Sequence, residues 1–220
     1  MMRVFENRAQ AGRMLAPALQ AFAERDDVRV LGLPRGGVPV AYHLARALKV
    51  PLDVLVVRKL GFPGQPEFAM GAIAPGGVVL FNPEVERMLS LDSPVVAATI
   101  ERERAELARR EHRYRADRPP LDVRGRITIV VDDGAATGST MRAAIQALRA
   151  LGAARVVVAL PTASPDACAM LRREADEVVC LDTPARFRAV GQWYQDFSQT
   201  SDDEVCRLLD AAAHSGELSA

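Results

Sequence analysis

Val130-Val131-Asp132-Asp133-Gly134-Ala135-Ala136-Thr137-Gly138-Ser139-Thr140 decides how this chain is read. Ahead of it, Ile127 to Val131 is a β-branched run suited to a buried central strand. Behind it, Met141, Ala144, Ile145, Leu148 and Leu151 line one face of a helix that Gly152 stops. The motif therefore joins the carboxyl end of a strand to a helix start, which is where an open α/β sheet binds ligands. Backbone N–H groups of the loop and the hydroxyls of Thr137, Ser139 and Thr140 can converge on a dianionic phosphate, aided by the helix dipole. Gly134 and Gly138 allow close backbone approach. Asp132 and Asp133 would repel that phosphate unless they faced groups that want acceptors, such as ribose hydroxyls and hydrated magnesium. A Walker-type loop is excluded, because Gly134 and Gly138 enclose three residues where four are needed, and Ser139 stands where Lys is required.

Working outward, short β-branched runs alternate with helical periods, so the predicted fold class is α/β, a mostly parallel sheet covered by helices. Val28 to Leu33 reads as a buried strand, then Pro34-Arg35-Gly36-Gly37 as a tight turn, with Pro39 in the first turn of a helix to about Lys49. Leu52 to Leu60 reads as the next strand. Gly61 to Gly77, rich in Gly and Pro, reads as a mobile loop leading through Val78 to Phe81 into a small hairpin. Ser93-Pro94 opens a helix to about Ala116, with Val96, Ile100, Leu107 and Tyr114 inward and its arginines interleaved with glutamates as a solvated face. Arg155 to Leu160 and Glu177 to Leu181 are strands separated by a helix from about Pro165 to Arg173. Near the N-terminus, Ala11, Met14, Leu15, Ala18, Leu19 and Phe22 share a helical face that Pro17 should bend or shorten. Ser201 with Glu204 forms a capping box for a last helix to about Ala213.

The 220 residues, 49% hydrophobic, suffice for one sizeable core, and one domain over 1–220 is expected: core about 26–182, hood about 183–200, last helix 201–214. With 28 basic and 28 acidic side chains there is no global positive field, which disfavours a nucleic-acid partner. Cys168, Cys180 and Cys206 are odd in number and lack metal or redox spacing, as expected of reduced thiols in a cytoplasmic protein. The first ten residues do not look like a signal peptide, and no apolar stretch approaches the ~20 residues that span a bilayer. His43, His112 and His214 have no partner acid or Cys at ligand spacing, and neither G-x-S-x-G nor H-E-x-x-H occurs.

The Asp132 loop resembles the phosphoribosyl-pyrophosphate signature of type I phosphoribosyltransferases, two acids followed by a short Thr-Gly loop, and is closest to the adenine version. The resemblance covers about Val28 to Leu60 and Arg126 to Phe197. It implies that Gly134, Ala135, Ala136, Thr137, Gly138, Ser139 and Thr140 bind the donor's 5-phosphate. Asp132 and Asp133 would then serve the ribose diol and, through water, Mg2+. Leu33-Pro34-Arg35-Gly36-Gly37 is similar to the family's pyrophosphate loop, and Arg58 and Lys59 stand where the family often has further basic contacts. Phe187, Val190 and Trp193 fall in a segment that looks like the family's hood over the acceptor, whose aromatic rings suit a planar base.

The implied activity is transfer of the 5-phosphoribosyl group from phosphoribosyl pyrophosphate to a nitrogen acceptor, a nucleobase by analogy, with release of pyrophosphate. Hypoxanthine-type enzymes carry an acid where this chain has Ala136, so that general base is missing, as it is in adenine and orotate types. This departure leaves the acceptor open and motivates a rival reading as a non-catalytic regulator that senses the donor or a nucleotide. Homodimers are common in the family, and the assembly too is left open.

Overall fold

A computed structural model of the chain describes residues 4–62, 65–81, 93–115 and 118–217. Five strands form a wholly parallel sheet: β1 (Val28–Gly32), β2 (Leu52–Val54), β6 (Ile127–Val131), β7 (Arg155–Thr162) and β8 (Glu177–Asp182). Their order is β2-β1-β6-β7-β8, with Val30 opposite Leu52, Val28 opposite Ile127 and Ile127 opposite Arg155.

Both faces of this sheet are covered, which is why its strands read as unbroken apolar runs. Successive side chains point to opposite faces. Val28, Val30, Ile129, Val131, Val157 and Ala159 enter one core, shared with α1 (Arg8–Leu15), α2 (Gly37–Leu48), α3 (Pro94–Arg115) and α6 (Asp202–Glu217). Leu31, Leu33, Val130, Val156, Val158 and Leu160 enter the other, beneath α4 (Ser139–Ala150) and α5 (Pro165–Glu174).

The first helix stops at Leu15, and Ala16–Phe22, with Pro17 at its start, continues as a 3-10 helix, so the proline shortens the α-helix as its missing N–H requires. At the other end, Ser201 Oγ accepts the Glu204 N–H at 3.1 Å and caps α6 as the sequence predicts.

Two expectations fail in the middle of the chain. Leu52 to Leu60 is not one strand: β2 ends at Val54, and Arg58–Phe62 is β3 of a separate antiparallel sheet, ordered β3-β4-β5. The apolar run is continuous because Leu55, Val56 and Leu60 are all buried while the chain passes from one sheet to the other. Gly61 to Gly77 is not a loop either, since Gln65–Ala74 is β4, paired with β3 and with β5 (Val78–Phe81). Gly71 serves close strand approach rather than a turn, because a Cβ there would lie 2.1 Å from the Leu80 carbonyl oxygen.

The topology locates the site. The chain leaves β1 through α2 to β2 on one side, then returns to β6 on the other side of β1. Helix α2 covers one face and α4 the opposite face, so the connections leaving β1 and β6 diverge at their carboxyl ends, the topological switch point where an open α/β sheet binds ligands.

Candidate functional site

The two loops that flank the crevice are the two that the sequence singles out. Leu33 N–H donates to the Val131 carbonyl at 2.9 Å, which carries the β1–β6 pairing up to the first residue of the turn. Gly36 and Gly37 then pack directly against the acid pair. A Cβ at Gly36 would lie 2.0 Å from Asp133 Oδ2, and one at Gly37 would lie 2.5 Å from the Val131 carbonyl oxygen. The Pro34–Arg35 peptide is cis. Both glycines are needed because no side chain fits between the loops.

On the other flank the loop after Asp133 is pinned from outside. Ala135 N–H donates to the Thr162 carbonyl at 3.1 Å, Ser164 N–H donates to the Ala135 carbonyl at 2.9 Å, and Ser164 Oγ donates to the Ala136 carbonyl at 2.7 Å. Ser164 also caps α5 by accepting the Ala167 N–H. Gly138, at φ +74°, turns the chain into α4. Thr137 and Ser139 hydroxyls share a 2.8 Å hydrogen bond on the exposed rim. Ala136, Thr137, Ser139 and Thr140 stand exposed at the start of α4, whereas the Ala135 N–H is spent on Thr162.

Asp132 Oδ1 accepts the Asp133 N–H at 2.9 Å, and Asp133 Oδ2 accepts from Arg8 Nε at 2.8 Å. Burial and the neighbouring Asp133 charge push the Asp132 carboxyl well up; burial also raises Asp133, while the Arg8 guanidinium pulls it back down. The ion pair and the upward shift of Asp133 point in opposite directions. The short guanidinium contact decides that Asp133 carries the pair's negative charge before Asp132 does.

Arg8 is a residue that sequence reading missed. It is the first residue of α1, held there by Asn7, whose side chain accepts the Gln10 N–H at 2.9 Å. Its Nη1 donates to the Ser198 carbonyl at 2.7 Å, and its guanidinium lies 4.1 Å above the Phe197 ring. Arg8 therefore ties the first helix, the acid pair and the hood together. Arg8→Ala is expected to cost about 2 kcal/mol at pH 7, because it strands a part-buried carboxylate. The cost should shrink as Asp133 protonates on acidification, so urea unfolding at pH 7 and pH 4 checks it; an equal loss at both would remove the ionic account.

The segment expected to form a hood packs on the Asp132 loop at Gly134. Val190–Trp193 is a 3-10 turn, and a Cβ at Gly134 would meet Val190 Cγ1 at 2.6 Å. Tyr194 O–H donates to the Asp133 carbonyl at 2.6 Å, and burial with the nearby Asp133 charge pushes its phenol up. Trp193 is buried beside Phe5 and Ala11 and stacks on Phe187 at 6.1 Å, so its ring seals the hood from beneath. Phe187 and Val190 keep exposed surface.

The basic residues divide. Arg35 is 3.8 Å from Asp202 at the start of α6, where Tyr114 O–H also donates at 2.6 Å; burial and that bond push the Tyr114 phenol up to about 12. Arg58 is engaged elsewhere: its Nε and Nη2 donate to Glu103 Oε2 at 3.0 and 2.6 Å. Lys59, on the same strand, lies in the antiparallel sheet opposite Ala72.

Among the described residues no three His, Cys, Asp or Glu side chains gather as a metal cage. Two adjacent carboxylates nevertheless suit a hard cation whose remaining ligands are water and ligand oxygens, which is how magnesium is ordinarily held. No described helix is long and apolar enough to cross a membrane.

Known proteins share this architecture. A chain from Thermus thermophilus, TT1426, superposes with a TM-score of 0.85 at 45% identity, over 94% of this chain and 98% of that one. A "Hypothetical Protein from Neisseria gonorrhoeae with bound ppGpp" shares the fold at a TM-score of 0.51 and 16% identity, over 96% of this chain and 98% of its own. In sequence, the protein named "Putative phosphoribosyl transferase" in Mycobacterium tuberculosis is 52% identical over 211 residues, 96% of this chain. The chain spans about half the length of that relative, 47%. The model of the phosphoribosyl transferase domain matches residues 6–195, from just before Arg8 to just past Tyr194. That span encloses both loops, the acid pair and the Val190–Trp193 turn, and the chain belongs to the phosphoribosyl transferase domain family.

Proposed function

We propose that this chain transfers the 5-phosphoribosyl group from phosphoribosyl pyrophosphate to a nitrogen acceptor, with release of pyrophosphate. The observation that carries the proposal is the direct packing of Gly36 and Gly37 against Asp133 and Asp132 at the switch point. A phosphate nest, an acid pair and a second glycine turn then surround one crevice, in the order a phosphorylated sugar pyrophosphate needs. Displacement at C1 passes through a cationic sugar, so the protein's task is positioning and charge screening.

Loop N–H groups from Ala136 to Thr140, with the hydroxyls of Thr137, Ser139 and Thr140, hold the 5-phosphate. Asp132 and Asp133 accept from the ribose diol and hold metal-bound water, and Asp133 places negative charge near the developing sugar cation. Arg35 and the Gly36 amide hold the leaving pyrophosphate, the Gly37 N–H being spent on the Leu33 carbonyl at 3.0 Å. Magnesium bound with the donor would neutralise charge on that leaving group. With Ala136 in place of an acid, no loop carboxyl deprotonates the acceptor, so the nucleophile must carry its own lone pair. A nucleobase over Phe187 and Val190 fits that requirement.

The test is pyrophosphate release with magnesium, donor and a panel of nucleobases, alongside calorimetric donor titration. Turnover with one base is expected. Tight donor binding without turnover on any base would leave a sensor in place of a transferase, and no donor binding would end both readings.

A further inference from the structure

A cavity of about 310 Å3 opens beside the phosphate loop, lined by Thr137, Ser139, Arg142, Ala143, Gln146 and Met170, with Gly71 and Ala72 of β4 as the far wall. Ser139, Arg142 or Ala143, and Gln146 recur at helical spacing, so the cavity follows one side of α4 for about 10 Å from its N-terminus. It begins at the hydroxyls of Thr137 and Ser139, and neither Asp132 nor Asp133 lines it. The proposed reaction needs nothing on this side, since a phosphate monoester ends at the nest. A volume of about 310 Å3 reaches the lower end of the range for small-molecule sites and exceeds what one phosphate fills.

The lining has a defined chemistry. Arg142 stands one turn into α4, half exposed, with Nε 2.6 Å from Glu174 Oε1. Among the described residues its two terminal nitrogens have no hydrogen-bond partner, and they are donors arranged as a fork that suits a phosphate. Gln146 adds an amide further along, and Ala143 with Met170 supplies an apolar floor. Among the described residues Glu174 is the one acid in contact with Arg142; it lies beside Nε without an aligned hydrogen bond and offsets part of the guanidinium's charge.

We infer that this cavity is a subsite for a second phosphoryl group attached to the 5-phosphate, so that the chain binds nucleoside 5′-diphosphates with the α-phosphate in the nest and the β-phosphate on Arg142. The inference rests on the proposed 5-phosphate nest. Such a ligand occupies the donor's anchor and so competes with the donor, which makes the cavity a place where nucleotide diphosphate levels set donor occupancy.

The experiment is calorimetric titration of AMP, ADP, GMP and GDP into the wild type, Arg142→Ala and Glu174→Gln, with phosphoribosyl pyrophosphate and magnesium titrated in parallel. In the wild type each diphosphate is expected to bind about tenfold tighter than its monophosphate, the size of one charge-assisted phosphate contact. Arg142→Ala should erase that advantage and leave monophosphate and donor affinity unchanged. Glu174→Gln, which removes the opposing acid and retains an amide, should widen the advantage about threefold; this variant decides the matter if Arg142→Ala fails to fold. Equal affinity for mono- and diphosphates, or an advantage indifferent to both substitutions, overturns the inference while leaving the transferase reading intact. Diphosphate binding that depends on Arg142, without pyrophosphate release on any base, does the reverse.

Discussion

Asp132→Asn is expected to melt at a higher temperature than the wild type at pH 7 and at the same time to lose affinity for magnesium and phosphoribosyl pyrophosphate. The gain comes from removing a buried charge beside another charge. Asparagine keeps the oxygen that accepts the Asp133 N–H at 2.9 Å, so the local turn survives. The folded carboxyl titrates above its ordinary value of 3.8, because burial and Asp133 both disfavour its anion. A raised acid pKa means the folded state holds the proton more tightly than the unfolded chain. The penalty is therefore nil below the unfolded pKa and complete above the folded one. Removing it should contribute about 1 kcal/mol at pH 7, or roughly 3 °C in a chain of this size, and nothing once the pH falls below the unfolded value. Donor affinity should fall at least about tenfold, the scale of one lost hydrogen bond to a charged group. Calorimetric melting across pH with donor titration reads both effects. A variant that is less stable at pH 7, or that binds donor as the wild type does, would show that Asp132 is a structural acid without a ligand to serve.

A trade of this kind is what made the candidate site stand out in the sequence. Adjacent aspartates at the end of an apolar strand, followed by small and hydroxylated residues, make a poor structural element, and no stability argument calls for them. The parallel sheet was legible for the opposite reason: Ile127 to Val131 and Arg155 to Leu160 are buried on both faces, and such runs have few other uses. What periodicity cannot show is where a buried run changes partners. Leu52 to Leu60 remains apolar across the passage from β2 to β3, and only the hydrogen bonds reveal the break. Gly71 misled because glycine marks a close approach of backbones as often as a turn. Arg8 lay beyond any local pattern, 125 positions from Asp133 and in a helix whose cap and apolar face gave it no distinction from Arg13. Ser164 was hidden in the same way, since one hydroxyl both caps α5 and pins the Ala136 carbonyl. Long-range contacts of single polar residues carry no sequence period, and the packing around the acid pair depends on several of them.

Gly37→Ala should be the most damaging single methyl in the site. Its Cβ would meet the Val131 carbonyl oxygen at 2.5 Å, Asp132 Cα at 2.9 Å and Asp132 Oδ1 at 3.1 Å. The two nearest are backbone atoms of the central strand and its exit, which cannot rotate aside as a flexible side chain would. Relief requires α2 to withdraw or the acid pair to shift, and either opens the packed crevice. Overpacking of this kind costs about 1–3 kcal/mol. Donor binding should fall with it, because the glycine turn and the carboxylates move apart together. Gly12→Ala supplies the comparison: its Cβ would lie 2.3 Å from the Val40 carbonyl oxygen, where α1 crosses α2, away from both loops. It should lose similar stability yet bind the donor normally at temperatures where it remains folded. Urea unfolding and donor titration of the two variants separate the alternatives. Equal donor affinity in both would mean that contact between the glycine turn and the acid pair serves the fold alone, whereas a loss confined to Gly37→Ala ties that contact to binding.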